Sequence, residues 1–95
     1  MLQITKNTAL DLWKDYKIRV NAICPGTIFT PASVKEMKGH NWSFEEWEAR
    51  KTKETIMKRA GTARECAFAS LFFASDESEF CTGSTLMVDG GHTAL

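Results

Sequence analysis

What this 95-residue sequence lacks narrows its function before any motif is read. It has no surplus of charge: 12 Lys and Arg balance 12 Asp and Glu, for a formal net charge of zero. Nucleic-acid-binding domains gather a basic excess into a patch, so no nucleic-acid partner is expected. The stretch from Arg50 to Arg59, where basic residues alternate with Glu54 on a helix-like segment, reads as a solvated face. Long apolar runs are missing too. The longest, around Ala67–Ala74, is far short of the roughly 18 residues a membrane span needs, and no leader pattern opens the chain. Paired cysteine motifs are absent. Cys24, Cys66 and Cys81 are widely spaced, and neither His40 nor His92 lies at a zinc-like interval from them, so the expectation is a cytoplasmic protein with ordinary thiols and no metal site. No Gly-x-Ser-x-Gly elbow occurs, and nothing links Ser, His and Asp as a triad. Three apolar-flanked cysteines also argue against a Cys–His nucleophile.

The residues present describe one small α/β unit. Met1–Asp15 has helical spacing of Leu2, Thr5, Ala9, Leu12 and Trp13, with Ile4 and Leu10 off that stripe, so the helix is expected to bury more than one face. No capping residue precedes its apolar pattern, which predicts the end of a longer helix. Ile18–Cys24 alternates as a strand, and pairing is expected to stop at Pro25, which lacks a backbone donor. Gly26 then permits a turn. Thr30–Lys38 is expected to be a short helix or loop ending near Gly39. Ser43 and Glu46 form a capping box, with Trp42 able to staple against Trp47, and the helical pairs Glu46–Arg50 and Glu54–Lys58 continue the segment. Thr62 and Glu65 form a second box, opening a helix to about Ser75 that is apolar on nearly every side. Thr85–Val88 is a short strand before the turn Asp89-Gly90-Gly91. Strand, crossover helices and strand imply two parallel strands, 18–24 and 85–88, and two such strands alone are not a stable sheet. The pattern implies more sheet than the chain supplies.

Several segments, in order and at consistent spacing, resemble one family. Ile18-Arg19-Val20-Asn21-Ala22-Ile23-Cys24-Pro25-Gly26-Thr27-Ile28-Phe29-Thr30-Pro31 is similar to the short-chain dehydrogenase/reductase segment I-R-V-N-x-[IV]-x-P-G-x-[IV]-x-T-P. Lys58–Ala67 resembles that family's R-x-G-x-P-E-E-[IV]-A turn, Leu71–Asp76 its FLASD, and Thr82–Gly91 its closing TG-x-x-[IL]-x-V-DGG. The resemblance implies the C-terminal part of a Rossmann-like, doubly wound parallel sheet. Residues 1–95 would be a partial domain, with a variable substrate-loop segment at about 32–58.

The same resemblance implies an NAD- or NADP-dependent enzyme interconverting an alcohol and a carbonyl. Its Pro-Gly turn lies at the C-terminal edge of the sheet, where open α/β sheets bind ligands. Pro25 would offer an apolar surface to the nicotinamide, Gly26 would let the chain pass close by, and the backbone of Ile28 would serve the carboxamide. The Thr30 hydroxyl would bond the carboxamide or the pyrophosphate. Phe29, Met37, Trp42 and Trp47, with Phe44, would belong to a substrate lid with an apolar wall. The last strand and its preceding helix, and separately the first helix, would pack in a homodimer or homotetramer; the Asp-Gly-Gly turn would be structural.

The departures matter as much. That family's acid/base pair is Tyr-x-x-x-Lys; the sole tyrosine is Tyr16, Val20 stands four residues on, and Tyr16 is expected to pack before the strand. The lysine would lie just upstream of Met1, and the Gly-rich phosphate loop further upstream. No catalytic residue is therefore expected in this chain, and the chain alone is expected to be inactive, with weak or no cofactor binding. Lys17 stands where the family has Gly, at a left-handed helix end that costs a lysine roughly 1 kcal/mol. The competing expectation is a noncatalytic interaction or oligomerisation module derived from this family.

Overall fold

A computed structural model of the chain describes residues 2–94, so Met1 of the expected first helix lies outside the described residues. Helix α1 (Leu2–Tyr16) ends on a left-handed lysine: Lys17 has φ 56°, its N–H donates to Trp13 O at 3.1 Å, and Ile18 N–H donates to Leu12 O at 3.4 Å. With Lys17 just past the helix, its bond to Trp13 O is the single bond of an αL closure. Tyr16 is 69% exposed, so it does not pack as expected.

Strand β1 (Ala22–Pro25) is shorter than the expected 18–24 and runs one residue past Cys24. Residues 18–21 are held by side chains instead. Val20 N–H donates to Thr82 Oγ1 at 3.1 Å, while Asn21 Nδ2 donates to Cys81 O and Asn21 Oδ1 accepts Ser84 N–H, each at 3.0 Å. The Arg19 guanidinium gathers the carbonyls of Phe73, Ser75, Ser78 and Cys81 at the end of the last helix. β1 pairs in parallel with β4 (Thr85–Val88), in the register Ala22↔Thr85 to Pro25↔Val88. Pro25 does not stop this pairing, because the ladder does not ask it to donate. Ala22 and Gly26 donate to Ser84 O and Val88 O, both at 2.9 Å. Alternation turns Ile23 and Pro25 to the opposite edge, where proline is tolerated.

Four more elements follow the turn. A two-residue strand β2 (Ile28–Phe29) pairs in parallel with β3 (Gly61–Thr62), a pairing with no signal in the sequence. Helix α2 (Pro31–His40) runs through Gly39 and closes on left-handed Asn41 (φ 56°), the other residue that tolerates this conformation. Helix α3 (Phe44–Lys51) begins as expected, with Ser43 Oγ accepting Glu46 N–H at 3.1 Å. It stops far short of Lys58, so Glu54 and Lys58 are not a helical pair. Thr52 Oγ1 donates to Glu48 O at 2.7 Å, Thr55 Oγ1 donates to Thr52 O at 3.1 Å, and Lys58 N–H donates to Thr55 Oγ1 at 3.0 Å. These local bonds compete with the helix and end it.

Helix α4 (Ala63–Ala74) has both halves of its capping box: Thr62 Oγ1 accepts Glu65 N–H at 3.1 Å and Glu65 Oε1 accepts Thr62 N–H at 2.9 Å. Among the described residues the buried apolar ones are Ala9, Ala22, Trp47, Ala60 and Ala69, of which four are alanines. Phe68, Leu71, Phe80 and Ile4 are meanwhile exposed. The radius of gyration is 16.3 Å, against about 12 Å for a compact chain of this length.

Candidate functional site

The Pro25-Gly26 turn leaves the C-terminal ends of two parallel strands, and both its residues are exposed. Gly26 is fixed by a contact that its sequence setting does not reveal. A β-carbon there would lie 2.7 Å from Asp89 Cβ and 2.8 Å from Asp89 Cα, so the turn passes directly over the Asp-Gly-Gly backbone. The Thr93 hydroxyl, followed by the Thr93 and Gly91 amides, holds the Asp89 carboxylate below its ordinary range. Gly91 has φ 89°, and a β-carbon on it would meet Ile56 Cβ at 2.8 Å. Gly90 O accepts Ile56 and Met57 N–H at 3.0 Å each. One closing turn thus carries the Pro-Gly loop on one side and the strap after α3 on the other.

Beyond Gly26 the loop is organised by a residue the sequence reading missed. Ser33, 8% exposed, donates from Oγ to Ile28 O at 3.2 Å and accepts Thr30 N–H at 3.1 Å. Its own N–H donates to Thr30 O at 2.9 Å, and its hydroxyl lies 3.4 Å from Thr30 Oγ1. The available signal was the spacing Thr30-x-x-Ser33 behind Pro31, a helix-start pattern with serine in place of Glu or Gln. Thr27 Oγ1 also donates to Lys51 O at 3.3 Å, tying the loop to the end of α3.

The expected lid residues divide into two groups. Phe29 packs edge-on against Phe44 and Trp47, with ring centroids at 5.3 and 5.6 Å. Trp47 is the inside of this cluster, 2% exposed, and its Nε1–H donates to Glu36 Oε1 at 2.7 Å. Glu36 Oε2 also meets Lys51 Nζ at 2.8 Å, and these two partners, Lys51 first, hold the Glu36 carboxyl below the usual range. Glu36 therefore clasps α2 to α3 (no local pattern marks a pair so far apart). Trp42 is not with the others: it stacks on His40 at 4.1 Å and lies under the Arg50 guanidinium at 4.7 Å, so it does not staple against Trp47. Met37 is half-buried on α2, and its carbonyl accepts Trp42 N–H at 2.9 Å.

Behind the loop lies a cavity of about 250 Å³, lined by Ile28, Met57, Arg59, Glu65, Met87 and Gly90 among others. Pro25, Gly26 and Thr30 are not part of its lining. In its lining Arg59 donates from both terminal nitrogens, Nη1 and Nη2, to the two Glu65 carboxylate oxygens, at 2.9 and 2.8 Å. With the Thr62 N–H adding to it, that pair takes the Glu65 carboxyl down to about 2 and raises Arg59. Among the described residues no group of three or more His, Cys, Asp or Glu is placed to hold a metal ion, and no helix is long and apolar enough to cross a membrane.

The loop offers an exposed apolar ring at Pro25, a carbonyl with one lone pair left at Ile28, and a half-buried hydroxyl at Thr30. Those groups fit one flank of a planar amide-bearing ring. They form a wall and not an enclosed pocket.

The family model for enoyl-(acyl carrier protein) reductase matches residues 1–93. Among curated relatives, an uncharacterised oxidoreductase of Thermotoga maritima is 43% identical over 95 residues, covering 100% of this chain and 37% of the relative. An NADP-dependent (R)-specific alcohol dehydrogenase of Lentilactobacillus kefiri is 42% identical over 92 residues, covering 96% of this chain and 34% of its own length. Among solved structures, a short chain dehydrogenase family protein of Francisella tularensis superposes with a TM-score of 0.84 at 40% identity, covering 99% of this chain and 40% of that one. Ligand-free aldohexose dehydrogenase of Thermoplasma acidophilum superposes with a TM-score of 0.83 at 37% identity, over 99% and 38% of the two chains. The chain thus spans between about a third and two-fifths of the relatives it matches. With nearly every residue matched, it belongs to the short-chain dehydrogenase/reductase family of oxidoreductases.

Proposed function

We propose that this chain supplies the C-terminal part of an NAD- or NADP-dependent oxidoreductase that interconverts an alcohol and a carbonyl. The observation that carries the reading is the Pro25–Thr30 loop, which leaves the C-terminal ends of parallel strands with its Ile28 carbonyl and Thr30 amide already ordered by Ser33. When bound, the nicotinamide supplies the position that gives or takes hydride. Pro25 covers one face of the ring, and Gly26 keeps the chain close while packed on Asp89. The Ile28 backbone takes the carboxamide, and the Thr30 hydroxyl bonds the carboxamide or the pyrophosphate. Residues 32–58 act as the substrate lid, with Phe29, Trp47, Met37 and Trp42 among its residues. Exposed Phe68 and Leu71 on α4, and Ile4 and Leu10 on α1, support packing in a homodimer or homotetramer. The three free cysteines agree with a cytoplasmic location.

The chain holds no Tyr-x-x-x-Lys and no Gly-rich phosphate loop, so by itself it moves no proton at a substrate oxygen. Purified chain mixed with NADH or NADPH and a panel of aldehydes and ketones is expected to show no oxidation of the cofactor above the uncatalysed rate. Fused behind the Thermotoga relative's preceding segment, it is expected to support turnover; turnover by the chain alone, or none by the fusion with its fold intact, contradicts the reading. A second reading, a noncatalytic oligomerisation module, is favoured by the apolar faces of α1 and α4. An in-frame Tyr-x-x-x-Lys in the coding sequence just upstream of Met1 decides against it.

A further inference from the structure

We propose that Ser33 is a positioning residue for the nicotinamide carboxamide, an inference that rests on the cofactor role given above to Ile28 and Thr30. Carboxamide recognition needs an acceptor and a donor held in fixed relation, because an amide presents N–H and C=O a fixed distance apart. In this loop the acceptor and donor come from half-buried residues two apart, where the β2–β3 pairing ends. Ser33 supplies the link. Its hydroxyl donates to Ile28 O at 3.2 Å and accepts Thr30 N–H at 3.1 Å, so one buried oxygen sets both neighbours at once.

The bonding also sorts which groups remain for a ligand. Gly61 N–H donates to Thr27 O at 2.9 Å in the β2–β3 pairing, which points the Ile28 carbonyl to the other side, toward Ser33. A carbonyl oxygen has two lone pairs and Ser33 takes one, leaving one for a carboxamide N–H. The Thr30 N–H is spent on Ser33, and the Thr30 hydroxyl, whose proton has only the long 3.4 Å contact to Ser33 Oγ, is the ligand-facing donor. Ser33 is 8% exposed, and the α2 turn around it is fixed by Ser33 N–H to Thr30 O at 2.9 Å. It touches no ligand itself; it acts through its neighbours.

The probe is nicotinamide mononucleotide, the half of the cofactor that this wall would take. Saturation transfer from the intact chain to the ring and ribose protons, titrated over the millimolar range, gives the affinity and shows which end of the probe is held. Ser33→Ala is expected to weaken binding about fivefold to tenfold, the worth of one or two ordered hydrogen bonds, and to lower the ring signal relative to the ribose. Ser33→Thr keeps the hydroxyl and is expected to restore both. Circular dichroism reports the fold; should Ser33→Ala not fold, Ser33→Cys, near in volume but a weak donor, carries the same comparison. Unchanged affinity and an unchanged ring-to-ribose ratio in a folded variant without the hydroxyl overturn the positioning role alone. No ring signal from the unsubstituted chain overturns the cofactor reading beneath it as well.

Discussion

Lys17 carries a β-carbon where the backbone turns left-handed, at φ 56°. The strain is worth about 1 kcal/mol, while its ammonium over the exposed Trp13 ring at 5.5 Å returns about half of that. Lys17→Gly is therefore expected to raise stability by roughly 0.5 kcal/mol, read as a higher urea midpoint with an unchanged slope. Gly26→Ala should do the opposite. Its new methyl would sit 2.7 Å from Asp89 Cβ and 2.8 Å from the Asp89 backbone, and backbone cannot swing away, so a loss of about 1–3 kcal/mol is expected. Positions 17 and 26 show what a sequence can and cannot say at this scale. The helix end at Lys17 was legible because closure is local. Glycine at 26 is expected to permit a turn and, by the resemblance, close approach of a ligand; the structure gives it no positive φ and instead places Asp89, distant in sequence, against it.

The helices follow their local signals where those signals close on themselves. Thr62 and Glu65 exchange two hydrogen bonds, and α4 starts where the pattern placed it. Thr62→Ala is expected to cost about 1 kcal/mol, measured by the same urea midpoint. Glu65 adds a pH dependence. Its carboxyl is lowered from 4.5 to about 2 by Arg59 and by the Thr62 N–H, so its contribution is complete above pH 4.5 and is lost as pH falls toward 2. Thermal midpoints measured between pH 6 and pH 2 should fall more for the unsubstituted chain than for Glu65→Gln; parallel curves would contradict the assignment. Where side chains bond across long distances, the sequence carried less. The segment after α3 looked helical, and buried Thr52 and Thr55 turned it into a strap. The strands β2 and β3 are two residues each and exist only through each other. Between α2 and α3, Trp47 is interior because Glu36 satisfies its N–H. Glu36→Gln loses the Lys51 ion pair and leaves the amide to take the indole, so Trp47 emission is expected to shift to the red as α2 loosens from α3.

Taken whole, the molecule is an incomplete layer. β1 presents its outer edge, its buried apolar residues are mostly alanine, and large apolar side chains face outward on α1 and α4. The parallel pair and the crossover helices were legible from periodicity, and the shortage of sheet was legible from the same count of strands. The outward-facing apolar side chains on α1 and α4 have no partner of their own in either helix's sequence pattern. The purified chain is expected to bind a hydrophobic dye strongly and to self-associate in light scattering, with both effects reduced by Leu71→Lys on the α4 face. We propose more narrowly that Pro25–Thr30 forms the nicotinamide side of a cofactor site. Backbone amide shifts of the isotope-labelled chain, titrated in parallel with nicotinamide mononucleotide and with adenosine monophosphate, test it most directly. The account predicts that the nicotinamide nucleotide moves Thr27, Ile28, Phe29 and Thr30 while the adenosine nucleotide leaves them in place; movement with adenosine monophosphate alone, or equal movement with both, would contradict it.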